Sequence, residues 1–149
     1  MQDHVVPEVG MPQIIGAVVI AMLYIGIFSL VKKENRTRLN AIVLAGAGAA
    51  YLSSGLGPWE FAFCALMTFV AYKGLTRNYM IGIGWILHTC WDLVHHLKAD
   101  AIVPMDPTSS FGCAICDPIL ALWFFSGAPN VWVVMREKLQ NRRTLKPIS

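Results

Sequence analysis

Residues 87–96 place His88, Asp92, His95 and His96 in an otherwise mostly apolar stretch. On a helix turning about 100° per residue, Asp92 falls roughly 40° from His88, His95 roughly 20° to the other side, and His96 roughly 80° away. All four side chains therefore share one face. Imidazole and carboxylate at positions i, i+4 and i+7 can point at a single ion, and a carboxylate can also lock a ligand imidazole from behind. Neutral imidazole with carboxylate suits zinc, iron or copper, so the cofactor expected is a transition metal ion. The same four residues also fit a proton or ion path, or a hydrogen-bonded cluster with His95 and His96 at the level of lipid headgroups.

Further candidates lie elsewhere in the chain. Asp117-Pro118 reads as a helix N-cap followed by proline at the first helical position, and Asp117 also falls near the level of Asp92 and His95. Cys113 and Cys116, spaced Cys-x-x-Cys, suit a redox pair, two soft ligands to the histidine site, or two small apolar residues at a helix contact. Glu60 follows Gly57-Pro58-Trp59, where it favours a helix N-terminus and also reaches the same cavity. Ser109 and Ser110 are candidates for substrate contact. Tyr51, Trp59, Trp91 and Trp123 read as interface anchors or packing. Against this list, the metal-site candidates are His88, Asp92, His95, His96, Asp117, Glu60, Cys113 and Cys116.

The elements that must hold these groups follow from the composition. The chain has 149 residues, 56% hydrophobic and 14% charged, with a mean hydropathy of +0.54. About a quarter of residues are charged in an ordinary globular domain, and disorder needs the opposite composition. A net charge of +3 on so apolar a chain argues against a nucleic-acid partner. Long apolar runs separate the charges, at residues 13–31, 39–56, 58–76, 79–97 and 117–135. Runs of 18 to 20 residues match a hydrocarbon core of roughly 30 Å, and only helices or closed barrels satisfy the backbone there. No period-2 alternation supports a barrel. The expected fold is one all-α membrane domain over 1–149, a bundle of about five transmembrane helices. It has an outer loop at 98–116 and a basic cytoplasmic tail at 136–149. The first run is read as a span and not a signal peptide, because Asp3 and Glu8 precede it without any Lys or Arg.

Orientation comes from the basic residues. Lys32, Lys33, Arg36 and Arg38 follow the first span, Lys73 and Arg77 the third, and Arg136, Lys138, Arg142, Arg143 and Lys146 the fifth. An outside N-terminus puts all of these on the cytoplasmic side and leaves Lys98 outside. The same orientation gathers every histidine, His4 included, outside with Asp3, Glu8, Glu60, Asp92, Asp100, Asp106 and Asp117. Small residues fill the second span, and Gly46 and Ala50 share a face for close packing. Gly127-Ala128-Pro129-Asn130 should kink or break the fifth span. The piece 131–140 either completes that span or lies on the inner surface.

Three stretches carry a resemblance: residues 41–53 with Gly46, Gly48 and Tyr51; residues 82–96 with Trp85, His88, Trp91, Asp92, His95 and His96; and residues 107–118 with Phe111, Cys113, Cys116 and Asp117. On these motifs the chain resembles a family of small bacterial integral membrane proteins of unknown function. The resemblance implies a multi-span fold, no assigned activity and no catalytic residues. From the residues, the expected function is an outward-facing His/Asp site, with Cys as a further donor, that binds a transition metal and can serve a membrane-embedded metalloenzyme. Two alternatives remain. One is a non-catalytic subunit or assembly partner of a larger membrane complex. The other is an oligomeric ion or metal transporter, which the wholly apolar run 80–87 disfavours. The expected partners are the lipid bilayer and further subunits, in a homo-oligomer or a larger complex. The expected location is a bacterial cytoplasmic membrane.

Overall fold

A computed structural model describes residues 5–103 and 105–144 of the chain. Asp3, His4 and Lys146 lie outside the described residues. Six helices follow in order: α1 Met11–Ser29, α2 Lys33–Gly48, α3 Pro58–Gly74, α4 Asn78–Leu97, α5 Ser109–Phe125 and α6 Val131–Thr144. Among the described residues there is no strand, only a single bridge between Val103 and Asp106. The all-α expectation is met. By length and composition one helix, α1, is long and apolar enough to cross a membrane, and α5 is apolar but shorter.

Several boundaries depart from the sequence reading. α2 begins at Lys33 and stops at Gly48, so residues 49–57 form turns where a span to residue 56 was expected. The expected outer loop 98–116 is shorter, because α5 starts at Ser109. Asp117-Pro118 therefore lies inside α5 and is no cap. Proline removes the N–H that would bond the Ala114 carbonyl, a cost that the close packing of α5 along α4 overrides. The expected break in the fifth apolar run is present: Gly127 and Ala128 both take positive φ, at 88° and 48°, and α6 is a separate helix against α1.

α4 sits centrally, packed on α5, α3 and α2, while α1 flanks α5. The core joins Leu44, Met67, Ile81, Trp85, Leu120 and Phe124. Close approach depends on particular glycines. A Cβ on Gly48 would lie 2.3 Å from the Met67 Cβ, and one on Gly84 would lie 2.3 Å from the Leu44 Cδ2. Gly46 and Ala50, the expected packing face, point outward instead, and a Cβ on Gly46 meets nothing within 4 Å. The reason is that Gly48, two residues on, occupies the side of α2 that meets α3.

At the other end of the bundle Arg36 is buried, at 4% exposure. Its guanidinium donates to the carbonyls of Phe28, Ser29, Val31 and Ala128. Helix ends leave carbonyls without partners, and this one side chain serves the end of α1 and the turn before α6 together.

Candidate metal centre

α4 carries its polar face into the interior. His88, Asp92, His95 and His96 are 3%, 0%, 0% and 7% exposed. α5 turns Asp117 toward the first two, so three donors from two helices meet. His88 Nδ1 is 2.9 Å from Asp92 Oδ2 and 3.0 Å from Asp117 Oδ2. One donor atom from each of the three residues lies within 4.8 Å of the others.

The other imidazole nitrogen decides what this contact can be. His88 Nε2 lies 2.9 Å from the Ala47 carbonyl at the end of α2. A carbonyl only accepts, so Nε2 carries the hydrogen and donates it. Nδ1 of a neutral ring is then a lone pair facing two carboxylates. That arrangement is repulsive unless a cation stands between them, either a proton on Nδ1 or a metal ion. A single proton serves one carboxylate, and Asp117 Oδ2 is left without a hydrogen bond in this buried setting. A metal ion with ligands at 2.0–2.2 Å would hold neighbouring donor atoms about 3.3 Å apart, a little wider than the two nitrogen–oxygen separations found here. The Nε2–H bond to a backbone carbonyl is the second contact that ligating histidines make to fix their tautomer. Asp92 is oriented in the same way: the Tyr51 hydroxyl donates to its Oδ1 at 2.7 Å.

The remaining candidates divide. Glu60 and His95 meet each other and not the trio: His95 Nε2 is 3.2 Å from Glu60 Oε1. His95 Nδ1 faces Asp100 Oδ2 at 3.5 Å. His96 turns away and packs its ring against Phe111, with a centroid separation of 4.9 Å. Its place roughly 80° around the helix accounts for that divergence. Cys113 and Cys116 are free thiols outside the three-donor group, and Cys116 belongs to the apolar core. Ser109 Oγ accepts from the Val103 amide and Ser110 Oγ donates to the Asp100 carbonyl, so the two hydroxyls tie Val103 and Asp100 to the start of α5. The face of α4 below His88 continues as Trp85 and Ile81 in the apolar core.

Three contributors escaped the sequence reading. The Ala47 carbonyl and Tyr51 lie 41 residues from their partners, a separation that periodicity cannot register. Tyr51 is 1% exposed, and its ring stacks on His95 at 3.7 Å between centroids, 7° from parallel. Asp100 lies just past the end of α4. Its only sequence signal is an acid close behind two histidines.

No curated protein and no solved structure matches the chain. Residues 12–130, which contain the whole of this centre, match the model of DUF6010, a family of unknown function, and the chain belongs to that family.

Proposed function

We propose that the chain is a polytopic membrane protein holding a divalent transition-metal ion at His88, Asp92 and Asp117. The observation that carries this reading is the arrangement at His88. Nε2–H is committed to a carbonyl, and Nδ1 lies between two buried carboxylates that call for a cation. With a neutral ring the trio holds two negative charges out of water, and a divalent ion neutralises both. Three protein donors leave a further position for water or substrate, which is the pattern of catalytic rather than structural metal sites. A metalloenzyme acting on a substrate that arrives from the lipid fits that pattern.

The membrane part of the proposal is supported by an inside-out distribution. The charged and imidazole groups of α4 are buried, while Ile15, Ile20, Leu23, Ile27, Trp59, Phe61, Phe69 and Leu122 are exposed on α1, α3 and α5. So much exposed apolar surface on several sides suits lipid as the surrounding solvent. The 20 residues of α4 reach about 30 Å, but its four polar side chains lower its average hydropathy. Hydropathy alone therefore passes over the helix that carries the site.

The test is elemental analysis of the purified full chain beside His88→Ala and Asp92→Ala. The proposal expects one metal ion per chain, lost in both variants. A metal-free wild-type protein that remains folded and takes up no added metal overturns it.

A further inference from the structure

Three adjoining hollows lie where α2 and α4 begin and α3 ends, about 15 Å along α4 from His88. The first, about 320 Å³, opens beside Lys33, Thr37, Arg38, Thr76 and Asn78. The second, about 270 Å³, is lined by Lys73 and Arg77. The third, about 200 Å³, is an apolar groove between α2 and α3. Leu75 lines all three, so the two polar hollows and the groove form one continuous depression.

The polar part suits an anion. Lys33, Arg38, Lys73 and Arg77 surround it, with Glu34 as the one acid in the lining. All four cations are exposed, and among the described residues none is paired with a carboxylate. Lys73 instead stands 5.4 and 5.7 Å from the ring centroids of Phe69 and Tyr72, and Arg77 Nη1 donates to the Tyr79 hydroxyl at 3.4 Å. The N-termini of α2 and α4 add partial positive charge at the same place. The Thr37 hydroxyl donates to Asn78 Oδ1 at 2.8 Å and ties those two helix starts together. The groove is of the opposite character. Ala41, Ala45 and Ala71 keep it open because each reaches no further than a methyl group, and Ile42 stands exposed at its edge. The Thr68 hydroxyl is committed to the Cys64 carbonyl of its own helix at 2.8 Å. Unpaired cations at the mouth of an open apolar groove match the two halves of a phospholipid, and basic pockets between membrane helices hold anionic headgroups.

We propose that this depression binds one anionic phospholipid, with its phosphate among Lys33, Arg38, Lys73 and Arg77 and an acyl chain in the groove between α2 and α3. This rests on the membrane reading above and not on the metal. The lipid bridges α2, α3 and α4 at the end of the bundle away from the centre.

The experiment is native mass spectrometry of the full chain, delipidated in detergent and titrated at fixed ionic strength with dioleoylphosphatidylglycerol, dioleoylphosphatidylcholine or inorganic phosphate. The wild type binds one phosphatidylglycerol, about tenfold more tightly than phosphatidylcholine. Arg38→Gln and Arg77→Gln, both at exposed positions, each weaken it about fivefold. Ala45→Leu fills the groove and weakens both lipids about tenfold. Glu34→Gln strengthens phosphatidylglycerol binding. Arg136→Gln with Lys138→Gln, on exposed positions of α6, leaves it unchanged. Equal affinity for the two lipids in a detergent-dependent chain overturns the site and leaves the membrane reading standing. An equal loss in the α6 variant also overturns it, since the attraction would then be spread over the basic surface. Inorganic phosphate bound as tightly as phosphatidylglycerol overturns the acyl groove and with it the lipid. A chain that stays soluble and monodisperse without detergent overturns the membrane reading and this site together.

Discussion

Asp117→Asn is the most informative single change in the centre. The substitution keeps the shape of the side chain, replaces one of three anionic or imidazole donors with a weak neutral amide oxygen, and removes one of the two negative charges around His88 Nδ1. Groups behind metal ligands typically contribute 10–100-fold to affinity, so losing a ligand itself weakens binding by at least about a hundredfold. The consequence can be read as thermal stability. At a free metal concentration of about 100 times the wild-type Kd, binding stabilises the folded chain by about 2.7 kcal/mol. For a chain of this length that raises Tm by about 5–10 °C. In Asp117→Asn the same concentration only matches the Kd, which leaves about 0.4 kcal/mol and a shift near 1 °C. The assay is tryptophan fluorescence during heating, with and without metal. Trp85 suits it because its ring lies 6.1 Å from His88. His96→Gln serves as control, since His96 packs on Phe111 and should keep the full shift. Equal metal-induced shifts in wild type and Asp117→Asn would refute the reasoning, because Asp117 would then hold no ion.

Three other outcomes follow from the same geometry. Metal affinity falls as pH falls, because protons compete with the ion for His88 and both carboxylates; titration with metal at several pH values should show a higher Kd in acid. Arg36→Met strands carbonyls of Phe28, Ser29, Val31 and Ala128 and should lower stability by about 3 kcal/mol, read from denaturant unfolding, with no change in metal stoichiometry. Gly48→Ala forces a Cβ into the Met67 side chain and should cost about 1–3 kcal/mol. Gly46→Ala meets open space and should be neutral or stabilising by up to about 1 kcal/mol, so the difference between the two midpoints checks which face of α2 is packed.

What the sequence made legible follows helical geometry. The shared face of His88, Asp92, His95 and His96 needed only 100° per residue, and all four are buried. Asp117 was readable as a residue near that face, but through a capping motif that the structure does not use. Its real position depends on α5 starting at Ser109, which tertiary packing along α4 decides and local turn signals oppose. Tyr51 and the Ala47 carbonyl were illegible for another reason. A hydroxyl and a backbone acceptor on a neighbouring segment have no periodicity of their own. Arg36 looked like one more basic residue after the first apolar run, because its partners are carbonyls and leave no mark in the sequence. The cysteine pair carried a motif and no geometry: Cys116 packs in the core, and neither thiol joins the three donors.

The central claim is that one imidazole and two carboxylates hold a metal ion. X-ray absorption at the metal edge of the loaded full chain tests it most directly. A first shell of nitrogen and oxygen at about 2.0–2.2 Å with a single imidazole contribution is the expected result. A sulfur shell at about 2.3 Å, or scattering from two or more imidazoles, would contradict it.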